Sequence, residues 1–296
     1  MRIKLSVEAR KNLTILLFLA PVLALLAVWI IIPVVWNAYL SLTDKALVGV
    51  RAKEFGFVGF TNYAKILKDP SFYHSLNITL KFTIVSAIIG QLIIGLLLAV
   101  LLYGKIKGSA IFSVFGLLPL AVPEVVFAFM WVSMLAPGEL GSLNRIFSLF
   151  GVKPIAYLIE YPLISIIIAN TWRGITFAMI LFIGALRTVP PEVFEAAEMD
   201  GATGYRKFIY MTLPMIKFMI LFFLLMTTIT TLNIFGGIYT MTRGGPGSAT
   251  ELLAIYTYFK AFGYFEVGLG AAAGLILLTI TLMFAIVYIK LLKVKM

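Results

Sequence analysis

The sequence predicts an all-α polytopic membrane protein with six transmembrane helices, and three observations support that reading. Hydrophobic residues make up 61% of the chain and charged residues only 12%, whereas a soluble globular domain carries about 25% charged residues. Apolar residues gather in six runs, near 13–37, 77–102, 110–135, 160–184, 215–238 and 268–291, each close to the roughly 17–25 residues that cross a bilayer as a helix. The net charge of +11 is scattered in short clusters between these runs. That distribution suits the edges of a membrane protein and gives no patch for nucleic acid.

Each run has its own character. Arg2, Lys4, Arg10 and Lys11 precede Leu13–Val35, which is longer than the apolar core of about 7–15 residues in a cleaved signal. It reads as a retained first helix. The third and fourth runs are the least uniform. The third contains Pro119, Pro123 and Glu124, residues a span tolerates where neighbouring helices or water satisfy the backbone. Asn170 and Arg173 interrupt the fourth, and Thr227, Thr228, Thr230, Thr231 and Asn233 give the fifth a polar streak. Gly268, Gly270, Gly274 and Ala271–Ala273 suit tight packing of the sixth.

Lys105, Lys107, Arg187, Arg206, Lys207, Lys217, Lys290, Lys293 and Lys295 fall on the same side as the N-terminal cluster. The positive-inside rule makes that side cytoplasmic, with both termini inside. Lys45, Arg51, Lys53, Lys65 and Lys68 lie opposite, in one long loop interleaved with Asp44, Glu54 and Asp69. The loops are too short to hold a soluble core, so residues 1–296 read as one transmembrane domain with a core at about 77–291.

The chain has no cysteine and one histidine, His74. Thiolate metal sites, iron–sulfur clusters, cysteine nucleophiles and multi-histidine metal sites are thereby excluded. No GxxxxGK[ST] phosphate loop occurs, so the chain is not expected to hydrolyse ATP or to carry a cofactor of its own.

A charge inside a span is costly and marks a functional candidate. Arg173 stands beside Asn170, Thr171, Trp172 and Thr176. Its guanidinium can bond hydroxyl groups, grip a phosphate, or pair with Glu124. Glu124, Trp131, Asn170, Arg173 and Asn233 form the candidate pathway set. The alternative for the same residues is helix-to-helix glue.

The link at about 187–214 contains PPEVFEAAEMDGATGYRKFIYMTLP. Pro191 suits a first helical turn, with Glu192 and Glu195 at its positive end. Gly201 permits a sharp change of direction before a second short helix. Val193, Phe194 and Met199 offer an apolar face for a partner. Without further information the stretch is also readable as a structured interhelical loop.

This stretch resembles the EAA loop of permease subunits in binding-protein-dependent ABC importers. Glu195-Ala196-Ala197, Asp200-Gly201 and Leu213-Pro214 stand at the motif's positions. AYLSLTD at 38–44, FVGFTNYAKILKDPSFYHSLNITL at 57–80, TRGGPGSAT at 242–250 and YTYFKAFGYFEVGLGAAA at 256–273 resemble the sugar-permease (MalF-like) branch. The likeness covers about residues 15–290 and departs from the largest members, which have two more N-terminal helices and a large outer domain. It implies the type I importer permease fold, and a coupling helix that seats on a cytoplasmic ATPase subunit. The implied partners are a second homologous permease, two ATPase subunits that bind ATP and Mg, an extracytoplasmic binding protein and the lipid bilayer of a prokaryotic inner or plasma membrane. The expected substrate is a di- or oligosaccharide such as maltose or trehalose, with glycerol-3-phosphate or a related phosphorylated polyol as the alternative. A secondary transporter, a membrane enzyme and an assembly factor are the rival classes.

Overall fold

The computed structural model describes residues 7–103, 109–199, 201 and 204–293. In chain order the principal helices are α1 (Thr14–Ser41), α2 (Thr61–Leu67), α3 (Pro70–Tyr103), α4 (Ser109–Ala121) and α5 (Glu124–Met134). They continue with α6 (Ser142–Ser148), α7 (Pro162–Arg187), α8 (Pro191–Met199), α9 (Gly204–Met215), α10 (Lys217–Leu232), α11 (Gly236–Thr242) and α12 (Val267–Lys293). The chain divides into two compact units, one of Met1–Lys68 with Thr257–Leu275, the other of Asp69–Tyr256 with Ile276–Met296.

In the first unit α1 is an apolar rod with Phe18 and Trp29 well exposed, a surface suited to lipid. Its end is tied down by Asn62, buried on α2, whose Nδ2 donates to the carbonyls of Ser41 (2.9 Å) and Thr43 (2.7 Å). The first turn of α12 lies against the same strand-like exit, where Gly268 N donates to Lys45 O at 2.9 Å. A Cβ at Gly268 would overlap the Thr43 carbonyl, so only glycine permits that backbone approach.

In the second unit α3 opens on an Asp69 cap, its carboxylate accepting from Ser71 N at 2.9 Å with Pro70 in the first turn. Its middle, Thr83–Gln91, is π-helical. The core forms where α3, α7 and α10 meet, around Leu96, Ala99, Ala178, Phe182, Ala185, Leu186 and Phe223. The rings of Phe182 and Phe223 meet tilted at 58°, with centroids 5.2 Å apart. Gly95 meets Ala178 directly, leaving no room for a Cβ.

The all-α polytopic architecture agrees with the sequence, but the count of six spans does not. Among the described residues, four helices are long and apolar enough to cross a membrane: Thr14–Ser41, Pro70–Tyr103, Pro162–Arg187 and Val267–Leu292. A fifth is reached if Gly204–Met215 and Lys217–Leu232, bent by 69°, count as one span. The expected span at 110–135 is instead two short helices, α4 and α5. Pro123, with φ −57° and ψ 145°, caps the second; its ring removes a donor and pushes the preceding residue out of helical geometry. The expected span at 215–238 is also interrupted, bending at Ile216 (φ −95°, ψ 7°) and ending at Leu232 before α11 starts at Gly236.

Candidate functional site

The interruptions leave a cavity of about 700 Å³ inside the second unit. Its wall is built from Gln91 of α3, Pro119 and Leu120 of α4, Glu124 of α5, Asn170, Arg173, Gly174 and Phe177 of α7, and the 226–236 stretch around the end of α10. Non-helical backbone within a membrane protein is accommodated where it is buried in protein or lines a cavity.

Glu124 and Arg173 meet on this wall. Arg173 Nη1 lies 3.6 Å from Glu124 Oε1, an ion pair with both side chains about one-third exposed (32% and 37%). The same carboxylate oxygen accepts from Gly237 N at 2.6 Å, where the free amides of the first turn of α11 favour an anion. A Cβ on Gly237 would stand 3.1 Å from that oxygen, so the glycine admits the carboxylate. Arg173 also lies over Phe127, 5.5 Å from the ring centre. Phe127 stacks on Trp172 at 6.0 Å and 8°, and Trp131 meets Trp172 edge-on at 6.1 Å.

A second polar group joins three helices. Gln91 Nε2 donates to Asn170 O (3.1 Å), Thr227 Oγ1 donates to Gln91 Oε1 (2.6 Å), and Asn170 Nδ2 donates to Ser86 Oγ (2.9 Å). Gln91 is buried, and a Cβ on Gly174 would overlap its amide. Asn233 Nδ2 donates to Ile229 O (2.8 Å) and Thr281 Oγ1 (3.1 Å).

Of the five pathway candidates, Glu124, Asn170, Arg173 and Asn233 line the cavity. Trp131 sits in the aromatic cluster and is absent from the cavity wall. Gln91 was not singled out by sequence; it is one of several polar residues in its run, with Asn77, Thr79, Lys81, Thr83 and Ser86. Among the described residues no cluster of His, Asp or Glu could hold a metal ion.

The 187–214 link forms α8, a turn at Gly201 with φ +78°, and α9. That φ is left-handed backbone, which glycine adopts without penalty. Val193, Phe208 and Leu213 pack inward on the core, so Val193 does not share an outer face with Met199. Met199, Tyr205 and Tyr210 are the strongly exposed apolar residues, at 89%, 77% and 72%. Glu195 and Pro214 are exposed. Asp200 and the side chains of Phe194, Ala196 and Ala197 lie outside the described residues.

Residues 91–292 match the family described as binding-protein-dependent transport system inner membrane component. The chain belongs to that family. The permease is 33% identical over 278 residues to the trehalose/maltose transport system permease protein MalF of Thermococcus litoralis, covering 93% of this chain and 92% of that protein. It is 34% identical over 280 residues to a probable ABC transporter permease of Pyrococcus horikoshii, covering 93% and 94%. It is 28% identical to the sn-glycerol-3-phosphate transport system permease UgpA of Agrobacterium fabrum over 90% of each chain. The fold is shared with a bacterial ABC transporter involved in importing alginate: TM-score 0.82, 19% identity, 97% of this chain and 98% of that one. The permease is therefore a polytopic membrane component of an ABC transport system, in a family whose role is transport rather than catalysis.

Proposed function

We propose that the permease forms half of the translocation pathway for a neutral di- or oligosaccharide, and that its 700 Å³ cavity is the part that holds substrate. One observation carries this reading: the cavity joins hydroxyl-binding groups (Asn170, Arg173, Thr230, Asn233) to apolar Phe177, Met226 and Phe235, the mixed wall that small-molecule sites present. The Glu124 carboxylate 3.6 Å from Arg173 already neutralises the guanidinium and repels a phosphate. A neutral polyhydroxyl ligand fits this better than glycerol-3-phosphate, the cargo named for UgpA.

The loop bearing Glu195, Ala196, Ala197, Asp200, Gly201, Leu213 and Pro214 is proposed to couple the helices to a cytoplasmic ATPase subunit. Exposed Met199, Tyr205 and Tyr210 would supply apolar contact there. The complete system is two permeases, two ATPases binding ATP and Mg, and an extracytoplasmic binding protein, in the prokaryotic inner membrane with both permease termini cytoplasmic. Alternating access follows: ATP binding opens the bundle outward and hydrolysis returns it inward.

Uptake by proteoliposomes holding the whole complex, with ATP inside and receptor outside, tests the reading. Labelled maltose- or trehalose-like disaccharide should accumulate and glycerol-3-phosphate should not. Accumulation of the phosphate alone overturns the sugar assignment. Uptake that needs an ion gradient and no ATP overturns the coupling scheme.

A further inference from the structure

The segment between α5 and α7 presents a surface turned inside out by the standards of a water-facing loop. Asn144 on α6, only 2% exposed, clasps the loop from within. Its Nδ2 donates to Ala136 O (3.0 Å) and Ile155 O (2.9 Å), and its Oδ1 accepts from Ile155 N (3.0 Å). The helical turn runs on past α6, with Leu149 N bonded to Ile146 O and Phe150 N to Phe147 O. Ile146, Leu149 and Phe150 therefore stand at i, i+3 and i+4, on one helical face, and are 53%, 80% and 79% exposed. Leu140, in the preceding turn, is 90% exposed. The polar side chain is inside and the apolar ones are outside.

Such a patch requires a cover. The chain's own continuity favours lipid: Tyr157 and Tyr161 separate the patch from Pro162, the first residue of the membrane-spanning α7. Aromatic residues at a span's end mark the headgroup boundary. Arg145 and Lys153 are exposed beside the patch, where long cationic stems can lie along acyl chains with their charges at the headgroups. Glu139 and Glu160 balance them, so apolar insertion rather than attraction to anionic lipid supplies the driving force.

We propose that the Leu140–Phe150 segment is an interfacial anchor, with Leu140, Ile146, Leu149 and Phe150 seated in the acyl boundary of the leaflet where α7 begins. The anchor would fix the outer edge of the helices that wall the cavity. Because the chain lacks cysteine, nitroxide labels can be introduced singly as Leu149→Cys, Phe150→Cys and Ser148→Cys. The complete complex, its other subunits cysteine-free, would carry them in phosphatidylcholine vesicles with and without phosphatidylglycerol. These side chains are exposed, so labelling leaves the core and the Asn144 clasp undisturbed.

The expected result is that labels at 149 and 150 relax with dissolved oxygen and are shielded from a nickel chelate. The label at 148, on the opposite face, should be open to the chelate, and phosphatidylglycerol should change neither pattern. Chelate access at both 149 and 150 would overturn the anchor. Shielding of both from oxygen and chelate alike would overturn it too, and would make the patch a contact with another protein subunit.

Discussion

Replacing Gly95 with leucine is expected to abolish recovery of folded permease, the largest effect on stability that the packing predicts. Gly95 on α3 faces Ala178 on α7, and even a single Cβ there overlaps the alanine methyl while standing 3.4 Å from Ala178 Cα and Met179 N. Overpacking a close-packed interior costs about 1–3 kcal/mol, and more where backbone must move. The neighbouring Phe182 and Phe223 are fully buried, leaving no slack to absorb a shift. Gly95→Ala should lower the thermal midpoint measurably, and adding Ala178→Gly should restore much of the loss. That recovery, read as coupling in a double-mutant cycle, separates a direct contact from a general defect. Unchanged unfolding of Gly95→Leu would mean that α3 and α7 do not meet at this point.

A valine at Gly201 should uncouple ATP hydrolysis from ligand while leaving the assembled complex able to bind its receptor. With φ +78° and nothing within 4 Å of a built Cβ, the restriction at this turn is conformational rather than steric crowding. A residue with a Cβ pays about 1–2 kcal/mol in left-handed backbone, a β-branched residue fits it worst, and a turn of that kind would re-aim α9 relative to α8. Asparagine enters left-handed geometry more readily. Ligand-stimulated ATPase of the reconstituted complex should therefore fall severely for Gly201→Val and only partly for Gly201→Asn. Equal losses would point to the side chain itself, not to the turn.

The sequence made some elements plain and concealed others, for physical reasons. Thr14–Ser41, Pro70–Tyr103, Pro162–Arg187 and Val267–Leu292 are long apolar stretches, and length with composition suffices to recognise them. Pro123 was visible, but whether a proline kinks a span or ends a helix depends on what satisfies the backbone around it. Here the second half restarts as an independent α5. The bend at Ile216 comes two residues after Pro214, a proline that reads from sequence as the end of the loop rather than as a break inside a bent span. Arg173 and Glu124 stood out because charge in an apolar run is costly. Their neighbour Gln91 did not, since its importance arises from Gly174 and Thr227, distant in sequence and joined only by folding. Trp131 was conspicuous as an aromatic near polar residues, yet it packs against Trp172 away from the cavity wall.

The most direct test of the central claim is to fill the cavity and measure transport. Thr230 lines it, and among the described residues its hydroxyl bonds only to carbonyls of its own helix, Met226 O (3.0 Å) and Thr227 O (3.1 Å). Thr230→Trp should thus occupy the space without breaking an interhelical contact. ATP-driven disaccharide uptake by the otherwise intact complex is predicted to fall to background, with assembly and receptor docking preserved. Uptake at the unsubstituted rate would contradict the account and send the substrate by another path.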